Sequence, residues 1–295
     1  MYFCLYRSLF TTFLLSLLAT NSHAELPLTI EDLITDKGKF KLDISASYAN
    51  HNHQGIATDD PIAIQTGETS FVLVPTSLGD SRATTDTLVA TVGLRYGLTS
   101  RTEIYNRSTW LHRWQRQSSL SEQQVENDGR FVDTWLGINH QFSRDDKTPA
   151  LLGFVEIAIA ERRGDQNETL SAFMLGLTTY RAIDPVVLSL TVGWRINNQH
   201  ETDTATHKPG NMALINPSVA FAVNDRVTLT TGAQWTHHQP DSIDNQSQGI
   251  RRINTDLLMG VGYAVSKGNS LNLTLKANAT GSDGADLRLN WLHTF

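Results

Sequence analysis

Ala285-Asp-Leu-Arg-Leu-Asn-Trp-Leu-His-Thr-Phe295 ends the sequence, and its reading decides the fold. Taken in twos, Ala285, Leu287, Leu289, Trp291, His293 and Phe295 share one face. Asp286, Arg288, Asn290, Leu292 and Thr294 share the other. Successive side chains of a strand point to opposite sides, so this is a strand with an apolar face backed by a largely polar one.

The same alternation recurs upstream. Phe40, Leu42, Ile44, Ala46 and Tyr48 oppose Lys39, Lys41, Asp43, Ser45 and Ser47. Leu88 to Tyr96 alternate against Thr87 to Arg95, Val186 to Ile196 against Ser189 to Asn197, and Leu271 to Ala277 against Asn272 to Asn278. The alternation continues in 130–142, 149–161, 213–221, 226–235 and 252–263, and in weaker form in the third strand, 102–114, and the sixth, 169–181, which brings the expected strand count to about twelve. Within 102–114, Glu103, Arg107 and Arg113 are assigned inward, because Arg or Lys facing lipid at mid-bilayer costs about 2–4 kcal/mol. Val132 and Leu136 are assigned outward, opposite Asp133 and Asn139.

Two regularities tie these strands together. Long polar connections (50–84, 115–129, 198–210, 239–250) alternate with short turns (97–101, 182–184, 224–225, 264–269). Strands running towards a short turn or the terminus end at Tyr96, Phe142, Tyr180, Phe221, Tyr263 and Phe295, while Tyr48, Trp110, Trp114, Trp194 and Trp235 lie near the opposite ends. Aromatics at two heights are the interfacial girdles of a membrane barrel. The expected fold is therefore all-β: an antiparallel transmembrane barrel of about twelve strands over 38–295, both ends on the periplasmic side. Its terminal Phe295 resembles the carboxy-terminal assembly signal of bacterial outer-membrane barrels, which implies the barrel-assembly machinery as a partner.

Residues 1–24 carry Arg7, an apolar run Leu9–Leu18, and the small-x-small site Ser22-His23-Ala24. They read as a secretory signal peptide cut after Ala24. Cys4 falls inside it, so no thiol or disulfide chemistry is expected of the mature chain. Residues 25–37 read as a periplasmic segment or plug, with Thr29 capping a short helix before the first strand. A net charge of −6 argues against a nucleic-acid partner; the expected partners are outer-membrane lipid and a small solute.

The stretches Leu28-Thr-Ile-Glu-Asp-Leu-Ile-Thr-Asp-Lys-Gly-Lys-Phe-Lys-Leu-Asp-Ile44 and Val92-Gly-Leu-Arg-Tyr-Gly-Leu-Thr-Ser-Arg-Thr-Glu-Ile104 resemble the outer-membrane channel family named for the meta-pathway of phenol degradation. The resemblance implies an uptake channel for small, often aromatic or apolar compounds. It supplies no catalytic or binding residues.

The candidate pore-lining residues are the inward charges. Arg95, Glu103, Arg107, Asp133 and Glu156 fall on the first half of the barrel. Arg195, Arg252, Asp256, Lys276 and Arg288 fall on the second. One reading makes them a selectivity lining for polar or anionic solutes; the other makes most of them ion pairs that cross-link a lumen lacking an apolar core. Arg107, Arg195 and Arg288 are the ones expected to meet solute.

No catalytic, cofactor-binding or metal-ligating set is read, and no cofactor is expected. His51, His53, His200, His207, His237 and His238 gather in or near loops without a ligand spacing. There is no Gly-x-Ser-x-Gly elbow, although outward Asn106 and Ser108 stand beside Trp110 and His112. A barrel enzyme of the lipid-hydrolase type, with a triad drawn from separate strands, is one alternative function. A surface adhesin or structural barrel acting through loop 50–84 is another.

Overall fold

The structure, a computed structural model, describes residues 34–55, 81–118, 123–163, 166–201, 205–280 and 284–295. The expected signal peptide, the capped helix and most of the long connection 50–84 lie outside these residues.

Each expected strand is present, and most run longer than the alternating sequence. Their ranges are β1 Phe40–Gly55, β2 Ser81–Thr99, β3 Thr102–Ser118, β4 Gln123–Ser143, β5 Ala150–Arg163 and β6 Ala172–Ile183. They continue as β7 Val186–Asn197, β8 Met212–Ala222, β9 Val227–His238, β10 Arg252–Ser266, β11 Asn269–Asn278 and β12 Gly284–Thr294. Each pairs antiparallel with its neighbours, and β12 returns to β1 from Lys41–Thr294 to His51–Gly284. The result is a closed twelve-stranded barrel, which leaves no edge with unpaired backbone groups. A bilayer requires only about 9–11 residues per tilted strand. β1 to β4 have 16, 19, 17 and 21 residues, so this side of the wall rises well past a membrane.

The outer face is apolar. Leu136, Ile138, Val155, Leu257, Met259 and Leu273 expose between 43% and 62% of their surface. An apolar belt of this extent suits lipid and not water. Phe40 and Tyr96, with ring centroids 4.7 Å apart, join Phe142, Phe221, Tyr263 and Phe295 on the outer face at the short-turn end. Tyr48, Trp110, Trp194 and Trp235 form the opposite girdle.

Tyr180 departs from the expected lower girdle. Phe173, Leu175 and Leu177 take the outer face of β6, so the even-numbered Tyr180 turns inward and packs beside Val187 and Ala220. Val132 is a second correction. A bulge lets Thr109 face Asp133 and Trp110 face Phe131, skipping Val132. Phe131 thus joins Trp110 on the outer face, their rings edge-on at 6.1 Å.

The loops expected over 198–210 and 239–250 contain structure of their own. His200–Glu201, Thr206–Lys208, Asp241–Ile243 and Gln246–Gln248 make a four-stranded sheet above the barrel. Asp241 accepts from the Gly210 nitrogen at 2.6 Å and Asp244 from the Thr206 nitrogen at 2.9 Å, which ties the two loops together. The weakly alternating sixth strand also divides: Gln166–Glu168 pairs with the end of β5, and β6 proper begins at Ala172.

Candidate functional site: the barrel interior

With the outer face given to lipid, alternation sends Lys, Arg, Asp, Glu, Ser, Thr and Asn inward. All ten candidate residues stand at inward positions. They do not form one ladder; they group by height and wall.

The first group sits at the short-turn end. Glu103 is fully buried; its carboxylate accepts from Arg95 at 3.1 Å, from the Thr35 backbone nitrogen at 2.6 Å and from Asn139 at 3.4 Å. Arg95 also lies 3.7 Å from Asp43. The chain ahead of β1 is therefore inside the barrel here: Thr35 is fully buried, and Gly38 donates to the Gly97 carbonyl at 2.8 Å. Glycine is required at 97, because a Cβ there would lie 2.1 Å from the Asp36 carbonyl oxygen and 2.5 Å from that of Thr35.

The second group crosses the middle of β3, β4, β5 and β7. Glu156 accepts from Arg107 and from the Tyr105 hydroxyl, each at 2.7 Å. Trp135, 2% exposed, has two guanidinium groups over its ring: Arg107 at 5.3 Å and Arg195 at 5.1 Å from the centroid. Its indole nitrogen donates to Asp133 at 2.8 Å. Arg195 continues to Glu161 at 3.7 Å and to Asn197 at 2.9 Å. Two cations against one buried aromatic ring give a stiff, polarised wall.

The third group spans the closing seam. Lys276 lies 3.7 Å from Asp286, Asn278 donates to Asp256 at 2.9 Å, and Arg288 reaches Ser45 at 3.5 Å. Arg252 sits at the long-loop end opposite His238.

On the lumen-facing side, the periplasm-side half of β6 to β11, as the sequence orients it, carries no charge among the described residues. A hollow of about 240 Å3 opens there against Thr178, Tyr180, Ser189, Thr191, Asn216 and Ser218, with Thr230, Leu258, Gly260, Asn272 and Thr274 across from them. Trp135, Tyr105 and this hydroxyl wall were missed by a reading that followed charges. The inward parity that Trp135 shares with Asp133 and Asn139 was the signal that marked it.

The outward Ser108 bonds Thr134, their hydroxyls 2.8 Å apart, and the His112 ring packs on Trp114 at 4.3 Å. No serine–histidine pair is formed there. The His200 and His207 rings stack at 5.5 Å with Glu168 3.7 Å from His200. Among the described residues no group of three or more His, Cys, Asp or Glu is placed to hold a metal ion.

Fold and outer surface together define the class: a twelve-stranded transmembrane β-barrel of the bacterial outer membrane. No family model and no curated protein matches the sequence. Solved structures share its fold. The COG4313 outer membrane channel from Pseudomonas putida F1 superposes with a TM-score of 0.61 at 13% identity, over 94% of this chain and 99% of that one. The translocator domain of the autotransporter NalP from Neisseria meningitidis gives 0.53 at 11% identity, over 88% and 89%. The NanC porin gives 0.50 at 8% identity, over 85% and 98%.

Proposed function

We propose that this protein is an outer-membrane channel for the uptake of small solutes. The observation that carries the reading is the interior. Barrels of about eight strands are filled by side chains, and larger ones leave space. Here ion pairs brace one wall and leave a hollow of about 240 Å3 against the other. The likeness to the Pseudomonas channel supports the same reading. The resemblance to the channel family of the phenol meta-pathway points it towards small aromatic or apolar compounds.

The ten inward charges then act in two ways. Arg95, Glu103, Asp133, Glu156, Asp256 and Lys276 chiefly cross-link the wall; Arg107, Arg195, Arg252 and Arg288 give the solute path its cationic side. Residues 25–37 serve as a plug of the periplasmic mouth, with Glu103 anchoring their described end at Thr35. Residues 1–24 are removed on export, and the strand ending at Phe295 is presented to the barrel-assembly machinery.

Mature chain in planar bilayers tests the function. Discrete single-channel steps support it, and competition with phenolics, fatty acids and sugars orders the solutes. A folded, heat-modifiable barrel that passes neither ions nor any of these solutes would sink it.

A further inference from the structure

We propose that the uncharged hollow is a binding site for a small neutral solute carrying hydroxyl groups. This rests on the channel reading and names for it a hydroxylated solute class, in place of the aromatic or apolar one that the family resemblance implies.

The chemistry of the wall sets the class. Thr178 and Thr191 pair their hydroxyls at 3.0 Å, and Ser189 and Ser218 pair theirs at 2.5 Å. A hydroxyl has one donor and two acceptor positions, so each pair is satisfied along the wall and keeps acceptor capacity towards the lumen. No charged side chain lines the hollow. An ion entering it would leave its hydration without meeting a counter-charge, whereas a neutral solute meets hydroxyls and amides.

The amide above these pairs is incomplete. The Asn216 side-chain oxygen is shut off from water and has no hydrogen-bond partner. On the adjoining strand, one step from the Ile215–Trp235 pair, the Gln234 amide nitrogen is in the same condition. Pro217 has no N–H, so the β8–β9 ladder lapses between that pair and Ser218–Gly232. A buried polar atom left without a partner is costly, because it has given up its water and gained nothing in return. Asn216 borders the hollow, and after a small turn of its amide a solute hydroxyl seated beneath it can donate to the orphaned oxygen.

Shape agrees with chemistry. On the far wall Gly260 contributes no side chain; a Cβ there would meet Thr274 at 3.5 Å and Thr230 at 3.6 Å, ordinary contact. Tyr180, Ala220 and Leu258 offer apolar surface for a carbon skeleton. The hollow of about 240 Å3 equals on the order of eight water molecules of liquid volume, the size of a short polyol or a single ring.

The test is saturation-transfer NMR on the folded, detergent-solubilised barrel, with meso-erythritol and its acid analogue erythronate as probes. Erythritol is expected to receive saturation and erythronate to receive little. Asn216→Leu should weaken erythritol binding about tenfold, the effect of one hydrogen bond left unmade. Gly260→Leu fills the hollow without removing a polar group and should abolish the signal. Equal signals for both probes, or an erythritol signal unchanged in both variants, overturns the proposal. Potassium chloride conductance of the same preparations is read separately: binding without conductance refutes the channel and leaves the site, and conductance without binding does the reverse.

Discussion

The backbone nitrogen of Thr35 donates to the Glu103 carboxylate at 2.6 Å, across 68 residues of sequence. This bond holds the segment ahead of β1 inside the barrel. Glu103 meets Arg95 with its other oxygen, so one buried side chain joins the entering chain to the charged wall.

Replacing Glu103 by Gln should loosen both attachments. Removing one partner of a buried ion pair costs about 3–5 kcal/mol; Asp43, 3.7 Å from Arg95, offsets part of that. The urea midpoint of the variant in lipid vesicles is expected to fall, and trypsin should cut sooner after Lys37 and Lys39. Unchanged protection of those two bonds would show that Glu103 does not anchor the segment.

Gly97→Ala should release the same segment without touching a charge, because its Cβ would overlap the Asp36 carbonyl oxygen at 2.1 Å. Larger single-channel conductance is expected, with the barrel still heat-modifiable. Combined with Glu103→Gln, the two effects should be less than additive, since both act on one contact.

Arg107 and Glu156 lend themselves to a double-mutant cycle. Either single change to Met leaves a buried charge behind and should cost about 3–5 kcal/mol in urea unfolding. The double Met variant should recover most of this, less about 1 kcal/mol for the Tyr105 hydroxyl that loses its acceptor. A double variant as unstable as the sum of the singles would refute the pairing.

Neutralising Arg107, Arg195 and Arg288 together to Gln removes three positive charges from the lumen. Reversal potentials across a potassium chloride gradient should shift towards cation preference. Identical potentials would show that these charges brace the wall only.

Leu273, 43% exposed on β11, faces lipid near the middle of its strand. Leu273→Arg should lower folding stability in vesicles by about 2–4 kcal/mol. Asn272→Arg, one residue away but facing the lumen, should cost much less.

The sequence by itself determined the class. Polar and apolar residues at period two set which face of each strand meets lipid, and aromatic residues at two heights set the limits of the belt. Inward Glu103, Arg107 and Arg195 followed directly, because a local rule governs them: a charge on lipid is too costly. Even the misassigned Tyr180 obeys that alternation, which its place at a strand end obscured. Tertiary structure alone decided the partners. Asn290 bonds Asp43 at 3.1 Å across 247 residues, and Thr35 reaches Glu103, because closure and register bring distant strands to one height. The same is true of the bulge that skips Val132, the sheet shared by two loops, and the gathering of Thr178, Ser189 and Asn216 around an uncharged hollow. Alternation is a property of one strand, whereas neighbours in the lumen depend on how every strand is staggered around the barrel. A strand's own sequence carries the first and is silent on the second.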